Sequence, residues 1–128
     1  TAYQIGLTIT GNAIYNPTAD GIQLYQCDAF VVSDNAIVNA GQRGIAAVNN
    51  VRNGIVANNF INSSKASGLY LFTESTSYQI LVEGNHLYNC VTQDNSAALL
   101  NSGIVMGLNT SGSVQQQYLR FYLYAKFL

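Results

Sequence analysis

A five-residue pattern occurs four times in the chain: an asparagine, an apolar residue two positions later, and a second asparagine two positions after that. The copies are Asn12–Asn16, Asn35–Asn39, Asn58–Asn62 and Asn85–Asn89. The first three copies are equally spaced, and the fourth follows at a slightly longer interval. Repetition with a nearly fixed period of about 23 residues is typical of a solenoid, in which each repeat forms one coil that packs on its neighbours.

A glycine followed by an aliphatic residue comes after each copy of the pattern. These glycines are Gly21, Gly44, Gly68 and Gly103. The interval from the first asparagine to the glycine is nearly constant in the first three copies and much longer in the last. We therefore expect an insertion loop in residues 90–101, where residues 91–96 are polar and turn-like.

Each repeat also contains three short apolar runs, none long enough for an ordinary helix, and each predicts a period-two strand. In the first run one member of each of these pairs is expected to point inward: Leu7 and Ile9, Phe30 and Val32, Asn53 and Ile55, Ile80 and Val82. The inward residues of the second run are Ile14, Ile37, Phe60 and Leu87. Those of the third are Ile22 and Leu24, Ile45 and Ala47, Leu69 and Leu71, Ile104 and Met106. Three strands per repeat predict an all-β parallel solenoid.

Asparagine suits the corners of such a coil, because its short amide can satisfy buried backbone groups and its backbone tolerates the left-handed conformation. Amides stacked about 4.8 Å apart can also hydrogen-bond along the stack. We expect two such ladders. Their members are Asn12, Asn35, Asn58 and Asn85 in one, and Asn16, Asn39, Asn62 and Asn89 in the other.

Between Leu7 and Gly107 these repeats, with their later Gly-Ile element, resemble the right-handed parallel β-helix proteins of the pectin-lyase-like superfamily. The resemblance implies a single-stranded, right-handed parallel β-helix of about four coils, which would occupy residues 1–110. That superfamily includes polysaccharide lyases, glycoside hydrolases, sugar epimerases and phage tailspike depolymerases. It therefore implies polysaccharide as the partner and an extracellular or virion-associated location, while the fold by itself selects no reaction.

The repeat pattern ends before residues 111–128, which are rich in aromatic residues and contain no asparagine. Alternation of Leu119, Phe121 and Leu123 with tyrosine and arginine predicts an amphipathic strand. Two interpretations stay open. The tail covers the open end of the solenoid as a cap, or it pairs with other copies of the chain, as in the homotrimers that the resemblance to tailspikes implies.

The composition also restricts the classes of partner that the chain is expected to bind. The chain has 5 basic and 6 acidic residues with no run of either sign, which disfavours binding to nucleic acid or to an anionic membrane surface. No apolar stretch is long enough to indicate a membrane span. The acids are too scattered in sequence to predict a metal site, and no cofactor is expected. Cys27 and Cys90 fall at different points of different coils, so we expect two free thiols.

The outward positions after each glycine are the first place to look for a site. In the first and third coils they hold Gln23, Tyr25, Tyr70 and Phe72, and the residues between them are Ala46 and Val48. This outward column is apolar and aromatic and contains no acid or base. Aromatic rings can stack on sugars or anchor protein interfaces, so we keep carbohydrate contact, oligomer or domain contact, and no contact as alternatives.

Hydrolysis of a glycosidic bond needs two carboxyl groups, about 6.5–9.5 Å apart for inversion. Asp28 and Glu74 are candidates, because they follow their glycines at nearly the same distance and fall two coils apart. A surface charge ladder with Arg52 on the coil between them explains the same residues without catalysis.

Asp20 is a further candidate, because Asp20-Gly21 resembles an element of polygalacturonase-type hydrolases. An ion pair between Asp20 and Arg43 on the next coil is the simpler interpretation. His86 is expected at a surface or corner, where a structural role is more common than general base catalysis.

The leading hypothesis is a polysaccharide-associated β-helix module that recognises carbohydrate or supports a depolymerase, lyase or epimerase activity. If the chain itself is an enzyme, a polysaccharide lyase or glycoside hydrolase is expected. The alternative is a structural module that forms a homo-oligomer through the outward aromatic residues and residues 111–128.

Overall fold

The computed structural model describes residues 4–73, 80–91 and 104–108 of the chain. The regular elements in these ranges are all β-strands. They are β1 (Gln4–Ile5), β2 (Thr8–Thr10), β3 (Ala13–Tyr15), β4 (Ile22–Tyr25), β5 (Cys27–Ser33), β6 (Ala36–Ala40), β7 (Ile45–Val48), β8 (Arg52–Ala57), β9 (Phe60–Ser64), β10 (Leu69–Thr73), β11 (Ile80–Glu83), β12 (His86–Cys90) and β13 (Ile104–Leu108).

The strands form three sheets that run the length of the solenoid. Sheet A contains β1, β2, β5, β8 and β11, sheet B contains β3, β6, β9 and β12, and sheet C contains β4, β7, β10 and β13. Every pairing is parallel and joins a strand to its counterpart in the next coil. The prediction of an all-β parallel solenoid with three strands per coil is therefore confirmed. The described residues complete about three turns, slightly fewer than the four coils expected.

The pairing register shifts by one position in the second coil. Ile22 on β4 pairs with Ile45 on β7, whereas Asp28 on β5 pairs with Arg52 on β8, which is one position farther along the chain. The extra residue lies at the corner between β7 and β8, where Asn49 and Asn50 both have positive φ, while the corresponding corner of the first coil has Gln26 alone. Because side chains alternate between the two faces of a strand, such a shift exchanges inward and outward positions.

The asparagine pattern therefore assigns the third repeat one position too early. Val56 and Ile61 are the buried residues of this coil, and Gly54 pairs with the buried Phe30. The prediction that one of Asn53 and Ile55 points inward is wrong, as is the inward position predicted for Phe60, because all three residues are exposed. On β4 the predicted alternation is confirmed, with Ile22 and Leu24 buried and Gln23 and Tyr25 exposed.

A close fit between Phe30 and Gly54 shows how tightly the coils stack. Phe30 is 1% exposed, and a Cβ added at Gly54 would overlap its aromatic ring. The missing side chain on one coil thus makes room for a large one on the coil beside it, so that the interior stays close-packed.

A ladder of amides runs along the corner between sheets A and B, and its two central members are buried. Its members are Asn12, Asn35, Asn59 and Asn85. Side-chain Nδ2 atoms donate to the Oδ1 of the next member over 2.9–3.0 Å. The predicted third member, Asn58, is wrong, because Asn58 is exposed and precedes the ladder position.

The residue before each ladder asparagine explains the misassignment of Asn58. Gly11, Asp34, Asn58 and Gly84 all have φ between 54° and 70°. The corner thus needs a left-handed residue followed by an inward amide. Asn58-Asn59 supplies both functions with the same residue type.

The second predicted ladder forms only in part. Asn39 Nδ2 donates to Asn16 Oδ1 over 3.1 Å. The left-handed position of the third coil is held by Ser63, and Asn62 lies just before it, opposite Val38. The prediction for Asn62 is therefore wrong for the same reason as that for Asn58.

The register also locates the later insertions. Phe60 on β9 pairs with His86 on β12, whereas Leu69 on β10 pairs with Ile104 on β13, a much longer separation along the chain. The additional residues therefore fall between β12 and β13, in agreement with the insertion expected there. The residues of that loop, 92–103, and the predicted cap or pairing strand in 111–128 lie outside the described residues.

Candidate functional site

The outer face of sheet C carries the predicted contact residues. Gln23 and Tyr25 are exposed on β4, and Tyr25 retains 55% of its accessible surface. Tyr70 on β10 is half-buried and pairs with Ala46, which Gln23 flanks on the other side. Ala46 is fully buried between these two larger residues although it points outward. Phe72 pairs with Val48 in the same sheet, and its side chain lies outside the described set.

An ion pair lies at the edge of sheet C where its strands begin. Arg43 Nη1 lies 3.6 Å from Asp20 Oδ2, and the backbone N–H of Arg43 donates to Asp20 Oδ1 over 3.0 Å. The guanidinium carbon of Arg43 lies 4.1 Å from the centroid of the Tyr70 ring, within the range of a cation–π contact. The predicted Asp20–Arg43 pair is confirmed, and Arg43 covers one side of Tyr70.

A second ion pair lies beyond the opposite edge of sheet C, where the strands of sheet A begin. Arg52 binds Asp28 Oδ2 through Nη2 at 2.8 Å and Nε at 2.9 Å, and Asn53 Nδ2 donates to Asp28 Oδ1 over 2.9 Å. The hydrogen bond from Asn53, followed by that from Arg52 and its charge, lowers the pKa of Asp28 below its ordinary value, while desolvation opposes the shift. Asp28 is therefore held as a carboxylate.

Two of the three predicted catalytic acids are in separate ion pairs, and the third is not described. Asp20 and Asp28 each bind an arginine of the next coil, as a charge ladder requires. Glu74 lies outside the described residues, so its spacing from Asp28 stays a prediction. An ionised Asp28 with hydrogen bonds to both carboxylate oxygens has little tendency to act as a general acid, because that role needs a raised pKa.

The outer face of sheet B holds the largest exposed aromatic surface that the structure describes. Tyr15 is 65%, Phe60 44% and Tyr88 58% exposed. Tyr15, Val38, Asn62 and Tyr88 form one outward column, and Ala13, Ala36, Phe60 and His86 form the other. The exposed position expected for His86 is confirmed, and its neighbour in the pairing is Phe60.

Sequence reasoning missed this second face because it placed Phe60 inside the solenoid. Two signals were available in the sequence. The Asn49-Asn50 doublet places two residues that tolerate a left-handed backbone at one corner, and a glycine, aspartate or asparagine precedes each ladder asparagine. Applying either signal moves the inward position from Phe60 to Ile61 and leaves Phe60 beside His86.

Neither face is large within the described residues. Four strands about 4.8 Å apart, each about five residues long, cover roughly 300 Å². A stable protein interface buries about 800 Å² on each partner. The described part of either face is therefore smaller than one side of a stable protein interface.

The two cysteines are free, as predicted. Cys27 is buried, and burial raises the pKa of the half-buried Cys90 thiol, which disfavours a nucleophilic role. Within the described ranges no group of three or more His, Cys, Asp or Glu residues is placed to hold a metal ion. Nor does that part of the chain include a helix with the length and apolarity of a membrane span.

Comparison with known proteins agrees with the coil architecture. The family described as "Right handed beta helix region" matches residues 2–117. No curated protein and no solved structure matches the chain. The family match covers nearly the whole sequence, and the described strands form the stacked parallel coils that such a family requires. The chain therefore belongs to the right-handed β-helix family.

Proposed function

We propose that these coils form a polysaccharide-recognition module, in which an extended glycan lies across the outward aromatic residues of sheets B and C. The main support is the exposure of Tyr15, Tyr25, Phe60 and Tyr88, which keep 44–65% of their accessible surface on regular sheet faces. Exposed rings on a rigid surface can stack on the apolar faces of sugars without reorganisation of the protein.

The polar residues near these rings fit the same function. Gln23 is exposed beside Tyr25 on sheet C, and Asn62 pairs with Tyr88 on sheet B. Amide side chains donate and accept hydrogen bonds, as recognition of sugar hydroxyls requires. Asp20 and Asp28 serve as ion-pair partners in this proposal, so recognition rather than bond cleavage is assigned to the described coils.

The test is binding of soluble polysaccharides to the full chain and to single variants of the exposed rings. Phe60→Ser and Tyr88→Ser address sheet B, and Tyr25→Ser addresses sheet C. We expect each to weaken binding about 5- to 150-fold, because stacking of a ligand ring on an aromatic side chain contributes roughly 1–3 kcal/mol in nucleic-acid sites.

Ile55→Ser is the matched control. Ile55 is 37% exposed on the outer face of sheet A, so its replacement removes apolar surface from the one sheet that is not assigned to the glycan. It should leave binding unchanged. Failure of the full chain to bind any neutral or acidic polysaccharide would remove the proposal, and equal effects of Ile55→Ser and Phe60→Ser would show that the loss is not specific.

Assembly into a homo-oligomer is the second candidate function. The exposed rings of sheets B and C favour it as well, since aromatic residues anchor protein interfaces. At roughly 300 Å² per described face, a stable contact would have to combine both faces with surface from residues 111–128. Sedimentation of the full chain and of a chain ending at residue 110 tests this: a monomer in both cases excludes assembly, whereas an oligomer that dissociates on truncation supports it.

A further inference from the structure

We propose that the module selects uncharged glycans over uronic acid polymers, because both arginines in the described coils are already bound to aspartates. This inference rests on the proposed function and names the substrate class of the same site. Recognition of a sugar carboxylate in proteins depends largely on arginine, whose planar fork of N–H groups matches the two carboxylate oxygens.

The guanidinium group of Arg52 already binds a carboxylate. Two of its nitrogens, Nε and Nη2, bind the same Asp28 oxygen at 2.9 and 2.8 Å, and Asn53 fixes the other oxygen of that carboxylate. A sugar carboxylate would have to displace Asp28 from an arrangement in which both of its oxygens are hydrogen-bonded. That exchange replaces one charge-assisted pair with another and gains little.

Arg43 is occupied in a different way. It reaches Asp20 through Nη1 and lies over the Tyr70 ring, and the Asp20 side chain is only 7% exposed. Moving Arg43 toward a ligand would leave the Asp20 carboxylate largely desolvated without its counter-ion. Losing the partner of a poorly solvated charge is costly, so Arg43 is held in place.

The remaining charges oppose an anionic polymer. The described residues include the cationic side chains Arg43, Arg52 and Lys65, against the acids Asp20, Asp28, Asp34 and Glu83. Lys65 follows β9 at the corner beyond sheet B, whereas the outward columns of sheets B and C hold mainly amides, aromatic rings and small apolar residues. A polyanion that approaches the described coils therefore meets a slight negative charge and arginines that already have aspartate partners.

Matched probes separate charge from sugar geometry. We would measure binding of the full chain to polygalacturonate, alginate and hyaluronan, each beside its own carboxyl-reduced form. The expected result is that reduced forms bind at least about tenfold more tightly than their uronate parents, with a preference that shrinks as salt screens the charges.

The double variant Asp20→Asn with Asp28→Asn removes the carboxylate partner of each arginine and raises the net charge by two. It should move the affinity ratio at least about tenfold toward the uronate polymer. Tighter uronate than reduced-form binding by the unaltered chain, or an unchanged ratio in the folded double variant, would overturn the inference while leaving polysaccharide recognition intact.

Arg52→Gln keeps the test informative if the aspartate variant fails to fold, because the Asp28 side chain that it leaves without an arginine is 20% exposed, whereas that of Asp20 is only 7% exposed. The preference for the reduced form should persist in this variant, because the inference gives Arg52 no ligand to lose. A selective loss of uronate binding would show that Arg52 contacts the polymer and would refute the inference. If no polymer binds the unaltered chain at all, the proposed function itself fails.

Discussion

Replacing Asn59 by alanine is the most direct test of the amide ladder. Asn59 is fully buried and makes four hydrogen bonds through its side chain. Its Oδ1 accepts from the backbone N–H and Nδ2 of Asn35 at 3.1 and 2.9 Å. Its Nδ2 donates to Val32 O at 3.0 Å and to Asn85 Oδ1 at 2.9 Å. Asn59→Ala removes all four bonds and leaves their partners inside the solenoid.

The magnitude follows from those four partners. An average net loss of about 1 kcal/mol for each gives a decrease of about 4 kcal/mol in the free energy of unfolding. That is a large share of the roughly 5–15 kcal/mol that keeps a domain folded. With a denaturant slope of about 2 kcal/mol/M, the urea midpoint should fall by about 2 M.

Asn58→Gly is the matched control for this measurement. It deletes an identical amide at the preceding position, where the side chain is exposed, and glycine retains the positive φ of 54° without strain. Its effect should stay within about 0.5 kcal/mol. A larger loss of stability for Asn58→Gly than for Asn59→Ala would refute the register of the third coil and restore the ladder that the repeat pattern alone predicts.

Three further predictions concern packing, backbone conformation and pH. Gly54→Ala should destabilise by about 1–3 kcal/mol because its methyl overlaps the Phe30 ring, and Phe30→Leu in the same chain should recover part of the loss in thermal melts. Ala29→Gly should increase the free energy of unfolding by roughly 0.5 kcal/mol and so raise the urea midpoint slightly. Ala29 has a φ of 55°, which costs an L-residue about 1–2 kcal/mol, and the entropy cost of glycine is smaller than that. Because the pKa of Asp28 is lower in the folded state than in the unfolded state, its stabilising contribution is present above about pH 4 and is lost as pH falls through the folded pKa. Asp28→Asn should accordingly lose less stability than the unaltered chain between about pH 6 and pH 3 in denaturation experiments, and equal losses would contradict the assignment.

The coil architecture is predictable from sequence because its period is set by local interactions. The asparagine and glycine markers recur at the same interval in the first two repeats, and the strands between them alternate as the pleat requires. The wrong assumption was that an asparagine at the repeat interval always occupies the same position in the coil. Asn58 and Asn59 differ in backbone conformation and burial, and in the sequence only the residue before each of them, Ala57 or Asn58, distinguishes them.

The candidate site was predictable to a smaller extent. The Asp20–Arg43 and Asp28–Arg52 pairs follow from stacking, because residues at equal places in adjacent coils lie within ion-pair distance. The full burial of Ala46 does not follow from its outward position, since it depends on the larger residues that flank it in the neighbouring strands. The contact between Arg43 and Tyr70 depends on side-chain rotamers, which a repeat pattern does not encode.

Phe60 shows why register and function cannot be assigned separately in a solenoid. If Phe60 faced inward, sheet B would present isolated tyrosines at its two ends. With Ile61 inward instead, Phe60 lies beside His86 and near Tyr88 on the outer face. The inward positions must fill the interior in every coil, whereas outward positions carry no such packing requirement. The single residue inserted at Asn49-Asn50 therefore converts a face with scattered rings into one with adjoining rings, and the glycan contact proposed for sheet B depends on that insertion.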